Sequence, residues 1–240
     1  MEKPEREVQL AFCFVRLPWE AAVTELARVL NRIFQQSSTF EGAKPGAIGG
    51  KLAHSDEPFY HYHHASGPYG ELRVRALRND PEWTYMEYPE RAATLDPKPL
   101  FALSKFSNEP VFEILSSTSK WKGDTNKASS LRICYPDGEL RCVERLWDYF
   151  PDKKTKQMRK RNQFLQIGKG PIHPDENTDA YKNRKISDRL NEDELVAFVK
   201  RLGAQIPTAE LTERAVIFSF LDSEIPLEPV ETLCGRLVAE

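Results

Sequence analysis

The sequence predicts an α+β fold, and three observations carry that prediction. Two short runs, residues 8–15 (VQLAFCFV) and 215–221 (AVIFSFL), are apolar at almost every position, as strands buried on both faces are. Between them the hydrophobic period drops to two over several stretches bounded by turn residues, which is the pattern of antiparallel strands. Outside those stretches apolar residues recur at steps of three and four, which is the pattern of helices with one buried stripe. We therefore expect one domain over residues 1–240. Its mixed sheet has buried N- and C-terminal strands, an antiparallel meander and hairpin in the middle, and about three amphipathic helices. A basic, loop-rich segment is expected at 151–189. A chain of 240 residues is long enough to bury such a core.

Each element has its own warrant. After the first apolar run, Pro18 opens a helix whose apolar positions are Trp19, Ala22, Val23, Leu26, Val29, Leu30, Ile33 and Phe34. All of these lie on one stripe, so the helix should pack on a sheet. Residues 37–58 hold Gly42, Gly46, Gly49 and Gly50 and read as a surface loop. The fragment PGAIGGKL within it is no phosphate loop. Pro45 stands where the first glycine is required, Leu52 follows Lys51 where Ser or Thr should, and a helix rather than a strand precedes it. From 59 to 88 the alternation of Leu72, Val74 and Ala76 with Arg73 and Arg75, a turn at Asn79-Asp80-Pro81 and the run WTYMEY predict a meander. Strands are expected at 100–106 and 111–115, separated by Ser107-Asn108. The clearest hairpin spans 130–146, where Tyr135-Pro136-Asp137-Gly138-Glu139 supplies the turn. Asn191 with Glu194 forms a capping box before Leu195, Phe198, Val199 and Leu202, and Gly203 stops that helix. Pro226 is expected to begin a last helix carrying Leu227, Val230, Leu233 and Leu237.

Composition bounds the function classes. Lys and Arg number 34 against 36 Asp and Glu, a formal charge of -2, so a globally basic protein is excluded. The first residues, MEKPEREV, carry no apolar core of signal-peptide length, and no apolar run approaches the ~20 residues of a membrane span, so a cytoplasmic protein is expected. Cys13, Cys134, Cys142 and Cys234 form no CxxC pair and are expected as buried free thiols.

The near-zero charge hides a segregation. Residues 120–170 hold 13 basic and 6 acidic residues, a local balance of +7, while the other 189 hold 21 and 30, a balance of -9. Lys153, Lys154, Lys156, Arg159, Lys160, Arg161 and Lys169 crowd together there, opposed only by Asp152. Such a run neutralises phosphates by counterion release, and nearby Trp147 and Phe164 are candidates to stack on unpaired bases. The competing reading is a solvated charge run between packed segments.

Other constellations point elsewhere. His61 and His63 share one face of a strand, a spacing that metal sites use, although a zinc site needs further ligands that the sequence does not identify. The same FYHYHH stretch also suits a Tyr/His recognition surface. No GxSxG, GxGxxG after a strand, or HExxH is present. Asp137 and Glu139 lie in a turn that wants Asp and Gly for backbone reasons.

The expectation is therefore a non-catalytic protein with no cofactor, binding a polyanion, most simply nucleic acid, through the basic segment. An acidic protein surface is the other partner that segment suits. An inhibitor, immunity-type or accessory protein using the Tyr/His strand and the long polar stretch 169–189 is the alternative. A metal-dependent hydrolase or nuclease centred on His61 and His63 is the third.

Overall fold

A computed structural model describes residues 5–37, 49–53, 71–87, 98–121, 124–151, 158–208, 210–219 and 228–229. In chain order the elements are strand β1 (Glu5–Val15), helix α1 (Trp19–Ser37), β2 (Gly49–Ala53), β3 (Glu71–Leu77), β4 (Asp80–Glu87), α2 (Lys98–Ser107), β5 (Val111–Trp121), β6 (Asp124–Cys134), β7 (Leu140–Pro151), β8 (Met158–Gly168), α3 (Glu192–Arg201), β9 (Thr212–Ser219) and β10 (Glu228–Pro229). Two short 3-10 turns, Ala180–Lys182 and Ile186–Asp188, precede α3. The chain is thus α+β. Its contacts cluster into two compact units. The first comprises Met1–Ala11, Phe112–Cys134 and Glu139–Ile206; the second comprises Phe12–Val111, Tyr135–Gly138 and Pro207–Glu240.

In the second unit the strands run β10-β2-β9-β3-β4-β1, and every described pairing is antiparallel. The apolar stripe of α1 is buried: Trp19, Ala22, Val23 and Leu26 are at most 3% exposed, as the residue spacing predicts. Trp19 also donates its indole N–H to the Val74 carbonyl at 3.2 Å, so its one polar atom is satisfied inside. Phe12, Phe14, Trp83 and Tyr85 form an aromatic group on β1 and β4, with centroids 5.4 to 6.3 Å apart.

Three expected elements are corrected here. Residues 100–106 are not a strand but part of α2, with Leu100, Leu103 and Ser104 buried at helical spacing. Asn108, at φ 57°, adopts the left-handed conformation that ends a helix, so Ser107-Asn108 is a helix stop rather than a break between two strands. The glycine-rich stretch 37–58 contains strand β2, held between β9 and β10. Where a helix was expected from Pro226, Glu228 and Pro229 instead pair with Gly50 and Gly49; the rest of that segment lies outside the described residues. Pro229 explains the difference. It would interrupt a helix, whereas the strand ending the order β10-β2-β9 tolerates a missing N–H.

In the first unit the order is β5-β6-β7-β8. The register pairs Ser129 with Arg145, Leu131 with Val143 and Ile133 with Arg141, which puts these six residues on one face. Helix α3 begins at Asn191, whose side chain accepts from the Glu194 N–H at 2.9 Å, and it buries Leu195, Phe198 and Val199. Phe198 meets Phe112 of β5 edge to face at 5.6 Å. Gly203, at φ 78°, follows the helix. Among the described residues no helix is long and apolar enough to cross a membrane. Cys13, Cys134 and Cys142 are buried and form no disulfide among the described residues; Cys234 lies outside them.

Candidate nucleic-acid interface

Part of the basic segment forms a strand. Of the stretch 151–189 expected to be loop-rich, Met158–Gly168 form β8 and pair antiparallel with β7 along eleven positions, from Arg141 with Gly168 to Pro151 with Met158. The register sets Phe150 opposite Arg159, Tyr149 opposite Lys160, Asp148 opposite Arg161 and Trp147 opposite Asn162. Two aromatic positions, 149 and 150, are therefore cross-strand partners of two basic ones, 160 and 159. By the two-residue pleat, position 160 shares parity with 162 and 164, and 159 shares parity with 161. Strand β8 ends the order β5-β6-β7-β8, so within this unit it is an edge strand. Charged residues on an edge also discourage strand-to-strand aggregation, and that is the functionally neutral account of the same run.

Lys169 is exposed just past β8. The strand ends at Gly168 because φ is 93° there and a Cβ would come within 1.9 Å of the Leu140 carbonyl oxygen. Only glycine lets the chain turn past that carbonyl, which then accepts from the Gly170 N–H at 3.0 Å.

Phe164 is committed to packing. Its ring lies 5.2 Å from that of Tyr181, and the Arg189 guanidinium sits over it at 5.4 Å. Arg189 thus covers one face of this ring. Lys153, Lys154 and Lys156 lie outside the described residues, as do His61 and His63. Among the described residues no group of three or more His, Cys, Asp or Glu side chains is placed to hold a metal.

The polar stretch after β8 is a strap tied down from within. Glu176, whose side chain is 0% exposed, receives Arg141 Nε at 2.6 Å and Arg141 Nη2 at 2.7 Å, a bidentate pair. It also accepts from the His173 backbone N–H at 2.8 Å and the Tyr181 hydroxyl at 3.1 Å. Burial pushes the Tyr181 hydroxyl pKa above its ordinary value, with Glu176 adding to the effect, so the phenol stays a donor. His173 packs on Phe112 and Phe198 at 5.2 and 5.9 Å, and burial lowers its pKa, favouring the neutral ring.

Further along, Arg145 donates from Nη1 to the Ser187 carbonyl at 2.6 Å and from Nε to the Ser129 hydroxyl, which in turn donates to the Leu190 carbonyl. Asn177 reaches Glu194 on α3 at 3.2 Å, and Arg201 donates to the Asp175 carbonyl at 2.7 Å. These polar groups of the stretch are spent on the protein itself. Between strap and helix, Leu131, Tyr181, Leu190, Leu195 and Phe198 line a cleft of about 10 Å³, room for one water at most.

Outward the strap presents more basic than acidic side chains, with the Asp179 and Asp188 carboxylates exposed beside them. Lys182, Arg184 and Lys185 are exposed, and Lys182 pairs with Asp179 at 2.7 Å. Arg184 and Lys185 make no ion pair among the described residues. They belong to KNRK in the sequence, a short basic cluster beyond the 120–170 window that carries the charge excess.

A second polar group lies on the opposite strand parity. Arg132 Nη1 is 2.5 Å from Glu113 Oε2, and the Cys142 thiol donates to Glu144 at 3.2 Å. Burial pushes the Cys134 and Cys142 thiols up to about 12 and about 11, so both are protonated, weak nucleophiles near neutral pH. Compared with protein-family models, with curated proteins and with solved structures, the chain matches none.

Proposed function

We propose that this chain is a non-catalytic binding protein whose β7–β8 ribbon engages a polyanion, most simply nucleic acid. One observation carries the reading: the basic positions 159–161 of the edge strand pair in register with the aromatic-rich positions 148–150. Basic and aromatic residues interleaved on one two-stranded ribbon supply both parts of sequence-tolerant binding, phosphate neutralisation and base stacking. In this reading Lys153, Lys154, Lys156, Arg159, Lys160, Arg161 and Lys169 meet phosphates and Trp147 stacks. Phe164 contributes from beneath Arg189 rather than by direct contact. The test is charge reversal of Arg159, Lys160 and Arg161 to Glu in the full chain. Binding to a labelled oligothymidylate should be lost, and affinity equal to that of the unmodified protein would overturn the assignment.

The edge position of β8 favours one second reading, an acidic extended segment of another protein adding as a further strand. The oligonucleotide experiment separates the two, because backbone pairing to an edge survives in salt that strips a phosphate-bound ligand.

A further inference from the structure

The strap and β8 meet on one face of the first unit. Phe164 of β8 is opposite Arg145 in the register, and these two side chains hold the strap, Arg145 through the Ser187 carbonyl and Phe164 through Tyr181 and Arg189. Position 160 has the same strand parity as 164 and lies four residues away, about 13 Å along the strand. Of the basic run, position 160 therefore shares that face with the outward turn 182–189, whereas 159 and 161 lie on the opposite parity.

Arg189 is held in place on this face. Its guanidinium rests on the Phe164 ring at 5.4 Å, and its Nε is fixed on the Asn183 carbonyl at 2.9 Å. Asn183 in turn donates to the Asp188 carbonyl at 3.2 Å, closing the turn. Neither Nη of Arg189 has a hydrogen-bond or ion-pair partner among the described residues. A planar guanidinium supported on one face and pinned at Nε presents its two Nη groups as a ready fork, the geometry that suits a phosphate. The support beneath is rigid because buried Arg145 and Ser129 set the turn's position from β7 and β6. Exposed Arg184 and Lys185 stand on the same turn, with no carboxylate paired to either among the described residues.

Resting on the proposed function above, we infer that the turn 182–189 is a second phosphate-binding element: Arg189, with Arg184 and Lys185, takes the phosphodiester backbone of a single-stranded nucleic acid that continues onto β8. A single strand is specified because stacking at the aromatic positions of β7 requires unpaired bases.

The test uses the full chain and a fluorescein-labelled oligothymidylate of about 20 nucleotides, read by anisotropy across a salt series. Two strap variants, Arg184→Glu with Lys185→Glu, and Arg189→Gln, are compared with the triple reversal on β8 and with Lys200→Glu, an exposed charge control on α3. Arg184 and Lys185 are solvent-exposed, so their reversal should leave the far-UV spectrum and melting temperature unchanged. The double reversal is expected to weaken binding about tenfold or more, and removing two phosphate contacts lowers the salt slope by about 1.4. Arg189→Lys should recover less than half of the loss caused by Arg189→Gln, because charge without the fork is insufficient. Strap variants that bind like the unmodified protein, or no more weakly than Lys200→Glu, while the β8 variant fails, would overturn this inference and leave the β8 assignment standing. Loss in the strap variants alone would support the turn and overturn the β8 assignment. No binding by the unmodified protein, or binding insensitive to salt, would overturn both.

Discussion

Removing Arg141 should cost the first unit much of its stability. Arg141→Ala leaves Glu176 with no guanidinium; only the Tyr181 hydroxyl and the His173 backbone N–H remain, and the Glu176 side chain is 0% exposed. Breaking a buried ion pair by deleting one partner costs about 3–5 kcal/mol, because the surviving charge stays desolvated. Arg141 also donates to Gln166 at 3.3 Å, a weaker contact that does not change this range. With a urea m-value of roughly 1–3 kcal/mol/M, the unfolding midpoint should fall by at least about 1 M. Amide exchange between residues 173 and 190 should speed up first, since those residues are tied to the sheet through this pair. The double variant Arg141→Met, Glu176→Met removes both charges and fills similar volume, and its loss should be below about 2 kcal/mol. If Arg141→Ala lost less than about 1 kcal/mol, or the double variant lost as much as the single, the strap would not be held as argued.

Two further outcomes follow from other parts of the molecule. Burial pushes the Glu87 carboxyl from its ordinary 4.5 up to about 8, against the opposing pull of Arg75 at 3.2 Å and of Arg73. The folded state therefore holds a proton that the unfolded chain releases between those values. Stability from this group is full below about pH 4.5 and falls as pH rises to 8, at up to about 1.4 kcal/mol per pH unit. Glu87→Gln should flatten that slope in denaturation midpoints taken from pH 5 to 9, and an unaltered slope would contradict the assignment. Gly168→Ala places a Cβ at a left-handed φ against the Leu140 carbonyl. It should destabilise the protein by about 1–3 kcal/mol in thermal unfolding, and a neutral effect would contradict the turn geometry.

Much of this architecture is readable from local pattern. Strand β1, helix α1 with its buried stripe, the β6–β7 hairpin and the Asn191 cap all combine a clear period with the right punctuation at their ends. Where pattern misleads, a tertiary partner supplies what the sequence lacks. Gly49-Gly50 have poor strand propensity, and β2 exists because β9 and β10 flank it. The short run LFALSKF suits either a strand or a helix; the spacing of Leu100, Leu103 and Ser104, with Pro99 at the helix start, was the signal that separated them. At the candidate site the charge excess was legible and its strand register was not, since register is set by pairing across residues far apart in the chain. The commitment of Phe164 to Tyr181 and Arg189 was likewise hidden, because the rings meet only through the fold.

The central claim, electrostatic binding of a polyanion by the β7–β8 ribbon, is tested most directly by one salt titration. The full chain is titrated with single-stranded oligothymidylate, and log K is plotted against log salt. Seven phosphate-contacting cations at about 0.7 each predict a slope approaching about -5, with affinity falling steeply between low and physiological salt. A slope near zero, or no binding at low salt, would contradict the claim.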